Sequence, residues 1–179
     1  MQIYYLDRDP TLCAQALGDR HLTEFGSDLL DIVVTVHRSF QRRGFLDDLG
    51  APNRLSDRGE VAWAFAAVNH YSWALRLLQE MSAERIYRFG VPLGRSELLT
   101  ALVKHPIHPS AFPARDAEYW VDPPQKLETR FDGTDQVVRH RRAYVDLWAR
   151  TDIIRYTRRE MPSWLRTMAS GTADYGGDV

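Results

Sequence analysis

The segment Asp19–Phe40 limits the fold more than any other part of the sequence. Its apolar residues recur at steps of three and four, which places them on one face of an α-helix. They are Leu22, Phe25, Leu29, Ile32, Val33, Val36 and Phe40. Asp19 is predicted to cap this helix, and Gly26 at its middle indicates either a close backbone approach or simple tolerance of a glycine. A single apolar stripe has to face a core, so the rest of the chain is expected to pack against this helix.

The same helix carries an acidic edge. Glu24, Asp28 and Asp31 follow each other at steps of four and three, and like charges at these steps repel by roughly a few tenths of a kcal/mol. His21, Asp28 and Thr35 are seven residues apart and line up beside the apolar face. In one interpretation this is the solvated face of a core helix. In the other, Asp28 is a carboxylate beside apolar surface that serves as a general acid or base.

The remaining sequence predicts a mainly α fold, a single-domain helical bundle with a short N-terminal β-strand over residues 1–168, followed by a flexible tail over 169–179. The strand is expected at Ile3–Leu6, and a polar loop at Gln41–Arg58. Further helices are predicted at Pro10–Leu17, Glu60–Phe89 with a bend or break near Asn69–His70, Ser96 to Pro106, Asp135–Arg150, Ile153–Glu160 and after Met161.

Several classes of protein are disfavoured by what the sequence lacks. Cys13 is the only cysteine, so an internal disulfide or a multi-cysteine metal site is excluded. No phosphate-binding loop, dinucleotide fingerprint or HExxH pair occurs, so neither a cofactor nor a metal is predicted. His105 and His108 are close in sequence, but solvated histidines explain them better than a metal site. No apolar run approaches a membrane span and the start is not a signal peptide, so a cytoplasmic protein without a membrane partner is expected.

Charge is distributed unevenly along the chain. Residues 1–60 hold seven arginines and ten carboxylates, whereas residues 139–166 hold eight arginines and three carboxylates. The basic segment is a candidate surface for phosphate groups, and it is equally consistent with pairing to the acidic first third. The candidate phosphate contacts are Arg139, Arg141, Arg142, Arg158 and Arg159.

Four blocks of residues along the chain have a characteristic order and spacing. Residues 1–10 read MQIYYLDRDP. The first long helix has Asp19, His21, Thr35 and His37 at the spacing of a D-x-H…T-x-H pattern. The middle and final blocks contain Trp63, Tyr71, Trp73, Glu84, Tyr87, Arg88, Phe89, Gly90, Arg141, Tyr144, Thr157, Arg159, Pro162 and Trp164. In this order and spacing, the chain resembles a family of small proteins found mostly in phage genomes. The family's first helix is in turn similar to that of the pyrimidine-dimer DNA glycosylases of T-even phages.

This resemblance implies a glycosylase-like fold and double-stranded DNA with a modified pyrimidine as the partner. Asp28 stands where the glycosylases have their catalytic Glu, with His21 and Glu24 beside it. In glycosylases of this type an N-terminal amine attacks the sugar C1′ while the carboxylate supports departure of the base. Here the bulky Gln2 predicts that Met1 is retained. Tyr71, Trp73 and Trp120 are candidates for stacking on an extruded base, with core packing as the alternative.

Two other functions remain open at the level of sequence. The first is a transferase in phage thymidine hypermodification, which acts on 5-hydroxymethyluracil in DNA and takes a small donor such as an amino acid near the basic segment. The second is a DNA-binding or anti-defence protein without catalysis, in which Asp28 is inert. Glycosylase-like chemistry on a pyrimidine base is the leading hypothesis.

Overall fold

The computed structural model is mainly helical, as the sequence predicts, and describes residues 3–40, 46, 49, 59–116, 118–124, 135–148 and 154–169. The predicted loop, apart from Leu46 and Leu49, and the predicted tail after Ala169 lie outside these residues. The α-helices are α1 Pro10–Ala16, α2 Asp19–Phe40, α3 Gly59–Ala66, α4 Val68–Phe89, α5 Ser96–Lys104, α6 Gln136–Trp148 and α7 Ser163–Ala169. A 3₁₀ turn spans Pro109–Ala111.

The core forms where α4 packs against α1, α2 and α3. The apolar stripe predicted for α2 is largely buried, with Leu22, Ile32 and Val33 fully inside. A Cβ atom added at Gly26 would overlap the side chain of Leu93, so the glycine allows the segment before α5 to approach α2 closely. The predicted helix at the centre of the fold is therefore confirmed, and its glycine leaves room for the Leu93 side chain.

The predicted N-terminal strand is wrong. Ile3–Leu6 is buried, but it has no strand partner among the described residues, where the sole isolated β-bridge joins Ala67 to Ala114. Side chains satisfy its backbone instead: the Tyr5 amide donates to Nδ1 of His140, and the Leu6 carbonyl accepts from Nε of Arg141. Buried backbone needs partners of some kind, and here α6 supplies them.

Two helix predictions also need correction. The long helix expected from Glu60 to Phe89 is broken earlier than predicted, because Ala67 adopts an extended conformation and Val68 donates its amide to the Ala114 carbonyl. The segment 154–160, expected to be helical, is an irregular turn. Its backbone is held by α2, since the Asp19 amide donates to the Arg155 carbonyl.

Candidate functional site

One open cavity of about 420 Å³ lies between the N-terminal part of the chain, α6 and the C-terminal segment. We call it the arginine cleft. Its lining comprises Asp7, Leu12, Gln15, Ala16, Arg141, Arg158, Arg159, Glu160, Pro162, Ser163 and Trp164. Three of the five arginines predicted to contact phosphate lie here. They come from two segments that are separated in sequence, and the fold brings them together.

Arg141 is fixed on the wall of the cleft by three contacts. Its Nε donates to the Leu6 carbonyl at 2.7 Å, and its Nη2 donates to Asp7 Oδ2 at 3.0 Å. Its guanidinium carbon lies 5.0 Å from the centre of the Trp164 ring, within the range of a cation–π contact. The position of Arg141 therefore depends on the N-terminal segment and on α7.

Arg159 forms a two-bond ion pair with Glu84 of α4. Its Nε and Nη2 donate to the two carboxylate oxygens at 2.7 and 2.8 Å. Glu84 is only 5 % exposed. Burial by itself would raise the pKa of Glu84, but hydrogen bonds from Arg159 and Arg88 outweigh it and lower this pKa below its ordinary value. Glu84 is therefore held as a carboxylate behind the cleft.

Arg88 lies completely buried beneath the cleft and connects its walls. It donates to Glu84 Oε1 at 2.7 Å and to Asp19 Oδ1 at 3.0 Å. Its remaining bonds go to the carbonyls of Leu17 and Gln15, both at 2.9 Å. One guanidinium thus joins α4 to α1 and to the start of α2.

The turn that carries Arg158 is anchored on both sides. The Thr157 amide and hydroxyl both donate to the Asp19 carboxylate. The Asp19 side chain therefore binds the C-terminal segment instead of capping α2. Arg158 has a left-handed backbone with φ of 57°, which is uncommon for a residue with a Cβ atom. Its Nη1 donates to the Tyr87 carbonyl at 3.2 Å, and the Tyr87 hydroxyl donates back to the Arg158 carbonyl at 3.0 Å.

The three cleft arginines differ in their charge partners. Arg141 pairs with Asp7 and Arg159 pairs with Glu84. Arg158 is exposed and forms no ion pair within the described part of the chain. Glu160, the next carboxylate along the turn, is also exposed and lines the same cleft. Arg158 is thus the cation of the cleft whose charge no neighbouring carboxylate offsets directly.

The residues predicted to be catalytic lie elsewhere on α2. His21 is buried, with Nδ1 2.5 Å from the Tyr144 hydroxyl, and burial lowers its pKa to about 4. Glu24 is exposed and pairs with Arg20 at 2.7 Å. Asp28 is half-buried. It lines neither the cleft nor the small apolar cavity near Phe25.

Helix geometry sets the distance between Asp28 and Asp19, whose carboxylate holds the turn that carries Arg158. Asp28 lies nine residues beyond Asp19, which corresponds to about 13 Å along a helix axis. A general acid or base has to approach its proton to within about 3 Å. The catalytic role of Asp28, with His21 and Glu24, stays a prediction, and it requires a substrate that reaches the middle of α2.

The aromatic residues proposed for base stacking belong to the protein's interior. Tyr71 is buried and its hydroxyl lies 3.0 Å from Nδ1 of His37. Trp73 is buried and donates its indole N–H to the Arg8 carbonyl. Trp120 is half-buried, donates to Asp122 and contacts the Trp73 ring edge-on. Core packing accounts for all three, whereas Trp164, which is not among the predicted stacking residues, lines the cleft.

The other two predicted phosphate contacts, Arg139 and Arg142, lie on α6, are half-buried and do not line the cleft. Among the described residues, no three histidine, cysteine or acidic side chains lie close enough together to bind a metal ion. None of the described helices combines the length and the apolar character needed to cross a membrane. Comparison with known proteins returns no matching family, no matching curated protein and no matching solved structure.

Proposed function

We propose that the chain is a DNA-directed enzyme that acts on a pyrimidine base and that DNA engages it at the arginine cleft. The observation that supports this is an open cavity in which Arg158, an arginine without a carboxylate partner among the described residues, lies together with Arg141 and Arg159. Arginine is suited to phosphate because its planar guanidinium donates two parallel hydrogen bonds. Because the turn around Arg158 is already anchored, less conformational entropy is lost when a ligand binds there.

Base-directed chemistry also needs a carboxylate near the sugar. When a base departs, positive charge develops on the sugar, and a carboxylate stabilises that charge or moves a proton. Glu160 lines the cleft and forms no ion pair within the described residues, so it is the carboxylate best placed to act there. Asp28 is the competing candidate from the family resemblance. The two assignments predict different mutants to be inactive.

A loss of DNA affinity is expected when Arg158 is changed to Gln. A charge-assisted hydrogen bond to phosphate contributes about 1.5–3 kcal/mol, so the dissociation constant for duplex DNA should rise about tenfold or more. The slope of log affinity against log salt should become shallower by about 0.9. Fluorescence anisotropy from 50 to 200 mM salt measures both quantities.

The matched control for this variant is Arg166→Gln. Arg166 is an exposed arginine in the same C-terminal segment, but it does not line the cleft. Its change should leave the affinity within about twofold, because a screened surface charge contributes little. Equal losses in both variants would show that DNA is attracted by general charge and not by the cleft.

The chemical step is tested by analysing the DNA itself. Duplexes containing a thymine dimer, 5-hydroxymethyluracil or phosphorylated 5-hydroxymethyluracil, whose phosphate can leave when a donor attacks, are incubated with the protein and digested. The nucleosides are analysed by mass spectrometry, and borohydride is added to a parallel reaction. Base loss indicates a glycosylase: an adduct trapped by borohydride means that a protein amine displaced the base at C1′, and an abasic site without an adduct means that water did. We expect Glu160→Gln to slow the reaction at least about a hundredfold, the usual contribution of acid–base catalysis, and Asp28→Asn to change it little. The reverse order of effects would return the catalytic role to Asp28.

A transferase is the second candidate function, and the volume and lining of the cleft support it. A cavity of about 420 Å³ lined by both arginines and carboxylates is within the size range of small-molecule sites. A donor such as an amino acid would present groups of both signs to this lining. In the same assay a nucleoside of new mass without base loss, dependent on an added amino acid, identifies transfer. DNA binding without either product identifies a non-catalytic binding protein.

A further inference from the structure

The charge pattern inside the arginine cleft limits how many phosphate groups it can hold. Arg141 and Arg159 already have carboxylate partners, Asp7 and Glu84, at 3.0 and 2.7 Å. Only Arg158 has no such partner within the described residues, and Glu160 adds a negative charge nearby. A surface that follows a DNA backbone needs several unpaired cations. The cleft has one, which suits a single phosphate.

The rest of the lining divides by polarity. Leu12, Ala16, Pro162 and Trp164 provide apolar surface, and Leu12 is 50 % exposed there. Gln15 and Ser163 add an amide and a hydroxyl, which provide both hydrogen-bond donors and acceptors. A planar base with polar edges matches this combination, since aromatic bases pack on apolar and indole surfaces.

Arg158 is also held in place before any ligand arrives. Asp19 fixes Thr157 with three hydrogen bonds, and Tyr87 exchanges two hydrogen bonds with Arg158. The left-handed backbone of Arg158 costs of order 1 kcal/mol or more. Such strain persists only where the surroundings determine it, and it is concentrated at binding and catalytic sites.

We propose that the arginine cleft is a binding site for one nucleoside monophosphate, with the phosphate on Arg158 and the base against Leu12 and Trp164. The ligand is either a free nucleotide or one phosphorylated nucleotide at a nick or end of DNA, because both present the same chemical groups. This inference rests on the proposed role of the cleft in binding nucleic acid, and it adds that one nucleotide is recognised as a unit.

Isothermal titration calorimetry with the whole protein tests the site, using thymidine 5′-monophosphate, thymidine and inorganic phosphate as ligands. We expect the monophosphate to bind about tenfold or more tightly than either of the other two, because only it engages both Arg158 and the apolar part of the lining. Arg158→Gln should reduce its affinity about tenfold, whereas Arg166→Gln should not change it. Leu12→Glu, at an exposed position of α1, should weaken it by placing a negative charge beside the base.

Nicked duplexes with a 5′-phosphate or a 5′-hydroxyl distinguish the two sources of the ligand. A preference for the 5′-phosphate that requires Arg158 assigns the site to a DNA end, and its absence together with monophosphate binding assigns it to a free nucleotide. Equal binding of thymidine and its monophosphate, or full affinity in Arg158→Gln, would overturn the proposal. If duplex DNA binds through Arg158 but the monophosphate does not compete, the nucleotide site is refuted while the proposed function stands. If the monophosphate binds but no DNA does, the proposed function is refuted instead.

Discussion

Replacing Arg88 with Met is expected to lower the free energy of unfolding by about 3–5 kcal/mol, the usual cost of removing one partner from a buried ion pair. The Arg88 side chain is 0 % exposed. Its loss would leave the carbonyls of Gln15 and Leu17 without their donor. An unsatisfied buried acceptor costs about 1–3 kcal/mol, and methionine fills much of the volume without restoring any bond. This loss is a large part of the 5–15 kcal/mol that typically stabilises a domain.

Urea unfolding monitored by circular dichroism measures this difference. Arg76→Met is the matched control, because Arg76 also lies on α4 and pairs with the residue four positions later, Glu80, at 2.7 Å. Its side chain is 60 % exposed, and a surface pair of this kind contributes at most about 1 kcal/mol. A loss of less than about 1 kcal/mol in Arg88→Met would mean that the buried network does not hold α1, α2 and α4 together.

Acidification from pH 7.5 to 5.0 is expected to reduce the free energy of unfolding by about 4 kcal/mol. Burial lowers the pKa of His21 and of His140 to about 4, from 6.5 for a solvated histidine. Between these values the unfolded chain binds more protons than the folded one, so stability falls as the pH falls through this range. Each of these two histidines accounts for about 2 kcal/mol of the stability lost at pH 5.0, since one pKa unit corresponds to 1.36 kcal/mol. Above pH 6.5 this contribution is fully present, and below about pH 4 the loss is complete.

The measurement is a set of urea unfolding curves at half-unit intervals of pH. His140→Gln is the informative variant, because its amide oxygen can still accept from the Tyr5 amide that Nδ1 of His140 binds. The expected result is a pH dependence smaller by about 2 kcal/mol, whatever the absolute stability of the variant, with the rest carried by His21 and by His70, whose pKa burial also lowers. The chosen range lies above the titration of Glu84, whose pKa is lowered. An unchanged pH dependence would show that His140 is not the group that titrates.

The buried network also explains why the turn around Arg158 has a defined conformation. Arg88 contacts both carboxylates that hold the turn, Glu84 behind Arg159 and Asp19 beneath Thr157. A buried ion cluster of this size often adds little net stability compared with apolar residues of equal volume. In this protein, its consequence is that Arg158 and Arg159 are presented at fixed positions in the cleft.

Sequence reasoning failed where distant residues replaced local preferences. Ile3–Leu6 has the residue types of a strand, but its backbone forms hydrogen bonds with side chains of α6. No local sequence pattern predicts these bonds. The break at Ala67 depends on its bridge with Ala114, almost fifty residues away. Glu84 and Arg88 have the spacing of an ordinary surface pair, so neither the burial of this pair nor the contact of Arg88 with Asp19 could be predicted.

The periodic pattern of Asp19–Phe40 by itself determined that α2 exists and which face it buries. Similar patterns elsewhere in the sequence determined that the fold is mainly α. This was possible because a helix repeats every 3.6 residues, so its apolar stripe can be read from neighbouring residues. The clustering of arginines after residue 139 likewise identified three residues of the cleft. Only the tertiary structure decided that these three meet Glu160 and Trp164 around one cavity, while Asp28, Tyr71 and Trp73 lie outside it. The physical reason is that a cleft forms between segments packed by non-local contacts, and those contacts leave no periodic signal in the sequence.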